Sequence, residues 1–356
     1  MTADITRGSP KTPLERPAAS EVVRWLLALF FVVLALVLLA IFAAALFAFR
    51  MWTEHRVAAK AVEKEVARLQ LAGEPMTAED LYRFHAIPKN VADTTPAWLA
   101  AQQSCNPATL DQNAKSLPFV GNGNAANLRP EAADSQLVAA EQFLSQHTPA
   151  LQAIFSAAQQ PGECRYPTKF EQSISLVPKD SQGVRMIVRL LALDVQVKVL
   201  RGQNDEALAS LAAMFAASDT LSHQLTIIEQ LIRLATLGSA LAQAEFLLNE
   251  MQLNDEQLDS LAHQVAACDI QGSFTRSLIG ERALGYQAFQ QQTAGWRSAD
   301  CLSYLEMLKP TIAFSIEPLP EGRNHMQAML TQFNAQEAAS STWNKHVLTA
   351  LAVSSY

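Results

Sequence analysis

The residues best suited to chemistry in this chain are charges set inside otherwise apolar stretches. Glu229 and Arg233 stand four apart in TIIEQLIRLA, Arg185 and Arg189 four apart in VRMIVRLLALD, and Glu281 adjoins Arg282 in IGERALG. A buried charge persists only where an opposite charge and hydrogen bonds offset its desolvation. These positions therefore predict structural ion pairs that fix helix register, with a ligand-binding polar cluster as the sharper alternative. In the structural reading, Arg233→Met lowers stability without abolishing binding.

Cys105, Cys164, Cys268 and Cys301 are the four thiols. In an oxidising compartment they would form two disulfides, and sequence order favours Cys105 with Cys164 and Cys268 with Cys301. The plain alternative is four small buried side chains. None of the seven histidines, His55, His85, His147, His223, His263, His325 and His346, has a partner at a spacing that builds a metal set. GNGNAA at 121–126 matches G-x-G-x-x-A, but Pro118 precedes it and Pro130 follows, so no strand and helix can flank it, and it reads as a turn. There is no G-x-S-x-G elbow and no phosphate loop. The sequence thus assigns no catalytic, cofactor-binding or metal-binding residue and calls for no cofactor. A site assembled in space from distant residues stays open.

The elements that would hold these residues are helical. Thr77 followed by Asp80 resembles a capping box. Thr95-Pro96 and Thr148-Pro149 each place a cap residue before a first-turn proline, predicting helices over 96–103 and 149–159, with another over 134–145. The region 183–250 predicts three long helices, the first ending at Gly202 and the third starting at His223, apolar nearly all round as in the middle of a bundle. Asp255 is expected to cap the next helix, and 272–292 to form another. Pro310, Pro318 and Pro320 break the last part, which closes with helical segments at 322–339 and 342–353. RGQNDEALASL resembles the middle of a tetratricopeptide unit, but no second copy follows at the period of about 34 residues.

Before all of these comes a run of a different kind. Trp25 to Phe49 is 25 apolar residues bracketed by Arg24 and Arg50, too long for a cleaved signal peptide. The chain is expected to have a tail at 1–24, an uncleaved transmembrane anchor at 25–49, a helical stalk at 50–75 ended by Gly73 and Pro75, and a soluble domain at 76–356. Basic residues nearly balance across the span; the short leading tail favours the N-terminus inside and the domain outside the cytoplasm. The span holds no glycine, so a G-x-x-x-G dimer motif is absent.

Composition agrees. The chain has 356 residues, 49% of them hydrophobic and 17% charged, with a net charge of −7. An acidic chain without a basic stripe is no nucleic-acid binder. Few glycines and no alternating Val/Ile/Thr runs exclude a sheet-rich fold.

LQLAGEPMTAEDL, AKSLPFVG, CRYPTKF, RLLALDVQVKVLRGQNDEALASLAAMFA, IIEQLIRLA and GERALGYQAF occur here in that order. Together they resemble a group of uncharacterised, N-terminally membrane-anchored α-helical proteins of planctomycete type, over roughly residues 22–310. The resemblance implies an anchor, an extracytoplasmic helical domain and no assigned activity. Members of the group often continue into a C-terminal module with RYP-x-x-L, DP-x-x-G and YS-x-G, which is missing here, so a shortened member is expected.

The sequence therefore predicts an all-α fold: a transmembrane helix with a stalk, then an irregular multi-helix bundle with helical hairpins, tetratricopeptide-like in part. Its expected place is the cytoplasmic membrane, single-pass, with binding or scaffolding at the cell envelope as its role. The partners are the lipid bilayer through 25–49 and a protein or small molecule not identified by sequence. The alternative is a cell-envelope enzyme with a spatially assembled site.

Overall fold

The structure is a computed structural model, and it describes residues 19–105, 114–123, 134–175, 179–291 and 298–316. No strand occurs among the described residues; an isolated bridge joins Asp93 to Glu163. The chain divides into two compact units, Met1–Lys60 and Ala61–Tyr356.

Helix α1 spans Ala19–Leu71. Its apolar run is long enough to cross a membrane, and its side chains are open, with Trp25 76% and Phe47 67% exposed. No charge lies between Arg24 and Arg50, so nothing on this stretch offsets the cost of leaving its apolar surface in water.

The second unit is a helical body. After the last turns of α1 come α2 (Ala78–His85), α3 (Thr95–Ser104), α4 (Asp134–Gln146), α5 (Thr148–Ala158) and a short 3-10 turn at Phe170–Ser175. Then follow α6 (Asp180–Leu200), α7 (Asn204–Asp219), α8 (Ile227–Glu250), α9 (Asp255–Ala266), α10 (Ile270–Gln291) and α11 (Ser298–Ile316). The all-α bundle expected from the sequence is what forms.

Helix α6 is its axis. Val184, Ile187, Val188, Leu190, Leu191, Leu193 and Val195 are all buried, so three sides of the helix are covered. Helices α7, α8, α3 and α4 pack on it. A second apolar cluster joins Val62, Leu69 and Met76 to Leu278 of α10 and to Tyr304, Leu305, Leu308 and Ile312 of α11.

Local signals explain the element ends. Thr77 accepts from the Asp80 amide at 3.1 Å and the Asp80 carboxylate accepts from the Thr77 amide at 3.1 Å, the reciprocal capping box the sequence predicts. Gly202 ends α6 in the left-handed region, letting the Gln203 amide reach the Lys198 carbonyl at 2.9 Å.

Five expectations are corrected. Thr95 and Thr148 are the first helical residues of α3 and α5 rather than their caps, which are Thr94 and His147, neither with a side-chain cap bond. The cap of α9 is Asn254, whose side chain accepts from the Gln257 amide, and Asp255 is the first helical residue. Residues 223–226 are not helical; α8 begins after Thr226, which caps the Glu229 amide. Pro310 lies inside α11 without ending it; its ring removes one backbone donor, and packing of Leu308 and Ile312 holds the helix across that loss. The segments 322–339 and 342–353 lie outside the described residues.

Candidate functional site

The charges singled out in the sequence find partners, but not the ones spacing suggests. Arg233 is 1% exposed; its Nη2 donates to Asp219 at 3.0 Å and its Nη1 to the Asp269 carbonyl at 2.9 Å. Glu229 turns the other way, accepting from the Thr226 hydroxyl at 2.8 Å. The two therefore form no pair. At the third helical position Glu229 is drawn to its own cap, whereas Arg233 lies one turn on, where α7 ends and α10 begins. Burial pushes the Glu229 carboxyl up to about 7.

Arg282 pairs with Glu74, and its neighbour Glu281 accepts from the Ile227 amide at 2.9 Å. Burial raises the Glu281 carboxyl as well. Arg185 and Arg189 are exposed rather than buried, on Gln182 at 3.3 Å and on the Phe119 carbonyl respectively.

The expected disulfides are not formed. Cys105, Cys164, Cys268 and Cys301 are free thiols. Cys268 packs against the main core while Cys301 belongs to the α10–α11 cluster, and burial pushes the Cys105, Cys164 and Cys301 thiols up to about 11.

The described part of GNGNAA is a tight turn. A Cβ on Gly121 would stand 1.8 Å from the Ala114 carbonyl oxygen and one on Gly123 2.2 Å from that of Ser116. These two glycines are required because the chain's own backbone passes close over them.

Two polar groups escape notice in the sequence. In the first, Lys198 Nζ lies 2.7 Å from Asp194 Oδ2 and 2.9 Å from Ser210 Oγ, and Ser210 donates to Asp194 at 2.6 Å. A serine beside a lysine has the parts of a nucleophile and its base. Ser210 is wholly buried, however, so no substrate carbonyl reaches it, and the group stands as a core ion pair between α6 and α7. The i, i+4 spacing of Asp194 and Lys198 was the signal available for it.

The second surrounds the buried turn between α7 and α8. His223 Nε2 is 3.7 Å from Glu163 Oε1, beyond hydrogen-bond length, while the other carboxylate oxygen takes Arg165 Nη2. Arg165 also donates to the His85 carbonyl at 3.1 Å, and Arg276 to the Ser222 carbonyl at 3.1 Å. His85 Nε2 meets Gln224 Oε1 at 3.2 Å. Burial first, and then the guanidinium of Arg165, bring His85 and His223 down to about 4. Both imidazoles are thus neutral at neutral pH. No group of three or more His, Cys, Asp or Glu placed to hold a metal ion occurs among the described residues.

What remains is a cleft. Helices α7 and α9 enclose about 310 Å³ between Leu208, Leu211 and Leu261 on its floor and Asp205, Glu256, Asn254 and Gln257 on its rim. Leu211 and Leu261 are buried, whereas the two carboxylates are exposed. Each carboxylate sits in the first turn of its helix, where the helix dipole favours negative charge. The Gln257 amide donates to Asp205 at 2.9 Å and ties the two helix starts together. Inside, Gln264 leaves its side-chain oxygen buried and unpartnered. An apolar floor under an acidic rim, with one free acceptor, suits a group that is cationic or donor-rich at its tip and apolar along its stem. Comparison with known protein families, with curated proteins and with solved structures finds no match.

Proposed function

We propose that this chain is a single-pass protein of the cytoplasmic membrane, anchored by 25–49 as an uncleaved signal anchor, whose helical body outside the cytoplasm binds or scaffolds a partner at the cell envelope. It belongs, in this reading, with the planctomycete-type anchored helical proteins that its sequence resembles. The observation that carries the proposal is α1: a continuous helix whose apolar side chains lie open over a length sufficient to span a bilayer. The cleft between α7 and α9 supports the binding role, its acidic rim and apolar floor fitting a lysine- or arginine-bearing segment of a partner.

The experiment uses Cys268, the half-exposed thiol, as the reporter of sidedness. Cells with a permeabilised outer barrier are treated with a membrane-impermeant maleimide, and membranes are then extracted with alkaline carbonate. Labelling of Cys268 before lysis, in a chain that stays with the pellet, is the expected result. Labelling only after lysis overturns the topology, and release by carbonate overturns the anchor. For the cleft, the paired reversal Asp205→Lys and Glu256→Lys abolishes partner co-purification from mild detergent; unchanged recovery removes the cleft from the proposal.

The second reading, an envelope enzyme, rests on the approach of His223 to Glu163. A hydrolytic activity lost in His223→Gln with the melting temperature kept would favour it.

A further inference from the structure

Three segments far apart in sequence meet around the turn between α7 and α8. The first is the stretch after α5, where the Glu163 amide donates to the Ala92 carbonyl at 2.9 Å, the Thr94 amide to the Glu163 carbonyl at 3.0 Å and the Arg165 amide to the Thr95 hydroxyl at 2.9 Å. The second is the turn itself, whose Leu221 and Gln224 carbonyls both accept from the Gln230 side-chain amide. The third is α10, where Gly280 lies against the Leu225 carbonyl and Arg276 stands one turn earlier on the same face. The backbone of all three is thus fixed before any ligand arrives. What they present to one another is Arg165, His223 and Arg276.

The charges gathered there do not balance. Arg165 and Arg276 act on one another and both act on His223, against the carboxylates of Glu163 and Asp219. Both carboxylates are already engaged: Glu163 holds Arg165 Nη2 and Asp219 holds Arg233 Nη2. Arg276 is left over. It is half-buried, its Nη1 donates to the Ser222 carbonyl at 3.1 Å, and among the described residues it has no ion pair and no other hydrogen bond. His223 makes no hydrogen bond among the described residues and stands 3.7 Å from Glu163. Holding a second guanidinium beside Arg165 in a partly desolvated place costs free energy, and a bound anion removes that cost. The side chains of His223 and Glu163 are 26% and 28% exposed, so the group opens to solvent on that side.

We propose that Arg165, His223 and Arg276 form a binding site for a phosphate group. The free Nε and Nη2 of Arg276 offer the paired donors that a guanidinium gives to two phosphate oxygens. Arg165 adds the hydrogens not taken by Glu163 and by the His85 and Cys164 carbonyls, and His223 adds an imidazole N–H for a third oxygen. A carboxylate, with two oxygens, serves fewer of these donors. The chemistry is the same for a soluble phosphate and for a lipid headgroup, and the test separates the two. The site shares no residue with the cleft between α7 and α9, so its failure leaves the reading of the cleft untouched.

The test is equilibrium dialysis of the purified full chain, in dodecyl maltoside at fixed ionic strength, against radiolabelled orthophosphate. The expected result is saturable binding, weakened at least about tenfold in Arg276→Gln. The melting temperature of that variant in phosphate-free buffer is kept or raised, because an uncompensated charge has gone, and Arg276→Lys retains part of the affinity. His223→Phe, whose ring fills the same space without a donor, weakens binding about threefold and keeps the test decisive should Arg276→Gln fold poorly. No saturable binding, unchanged affinity in either variant, or displacement of the phosphate by acetate at equal concentration overturns the proposal. For the source of the phosphate, the chain is placed in phosphatidylcholine nanodiscs with and without phosphatidic acid. Suppression of orthophosphate binding by phosphatidic acid assigns the site to a lipid headgroup, undiminished binding assigns it to a soluble phosphate, and both outcomes uphold the site.

Discussion

Arg233 and Asp219 meet at 3.0 Å where α7 ends, and the same guanidinium holds the carbonyl of Asp269 just before α10. One side chain, almost wholly buried, thereby ties α8 to the end of α7 and to the start of α10. Asp219 is 61% exposed at its side chain, so the two ends of the pair are unequal. Arg233→Met removes the bonds to Asp219 and to the Asp269 carbonyl, which keeps the Ser273 hydroxyl at 2.7 Å, and is expected to cost about 1–3 kcal/mol. Asp219→Asn, which alters an exposed partner, costs under about 1 kcal/mol. Denaturant unfolding of the detergent-solubilised chain measures both, and equal losses would contradict the asymmetry.

Asp194 and Lys198 present the opposite case, since both ends are largely buried. Lys198→Met alone strands a carboxylate in the core with only Ser210 to satisfy it, a loss of about 3–5 kcal/mol. The double change Asp194→Leu with Lys198→Met recovers most of that loss, because removing both charges removes the desolvation problem. A double variant as unstable as the sum of its parts would show the pair to be a net stabiliser instead.

Acid sensitivity follows from groups of opposite sense. His85 and His223, held down to about 4 from an ordinary value near 6.5, bind fewer protons folded than unfolded. Their contribution is complete above about 6.5 and is lost as pH falls toward 4. Glu229, raised to about 7, binds more protons folded than unfolded, so its contribution is present at low pH and is lost as pH rises toward 7. Melting temperature followed from pH 4 to 8 should therefore rise less steeply in His85→Gln and more steeply in Glu229→Gln than in the parent chain. Parallel curves would show that neither group titrates as its surroundings imply.

Two glycines in helix interiors should respond with opposite signs. A Cβ on Gly280 of α10 would lie 2.2 Å from the Leu225 carbonyl oxygen, whereas one on Gly238 of α8 meets nothing within 4 Å. Gly280→Ala must push the buried turn away from α10 and should cost about 1–3 kcal/mol. Gly238→Ala restricts the unfolded chain and favours the helix, stabilising by about 0.5–1 kcal/mol. Thermal melts of the two variants decide the signs.

The helices were legible because their punctuation is local. Thr77 with Asp80 and Gly202 act within a few residues and mark element ends as expected, whereas Pro96 and Pro149 mark helix starts whose caps, Thr94 and His147, lie one residue earlier than the threonines expected to cap them. The partners of the charges were not legible, because they are set by which helix lies alongside. Arg282 pairs with Glu74 across 208 positions and Arg165 reaches back 80 positions to His85, distances at which spacing carries no signal. Arg185 and Arg189 were misjudged for a related reason: α6 is apolar on most sides, and only its packing shows that one strip stays open. The cleft between α7 and α9 depends on the angle at which two amphipathic helices meet, which composition does not encode.

The cluster of Val62, Leu69 and Met76 with Leu278, Tyr304 and Leu308 has a consequence for biogenesis. The first apolar residues of the body to be synthesised are covered by nearly the last. Roughly 200 residues must be made in between, about 10–40 s at ordinary elongation rates. During that interval Val62, Leu69 and Met76 lack the partners that α10 and α11 supply. That cluster closes only once α10 and α11 have been made.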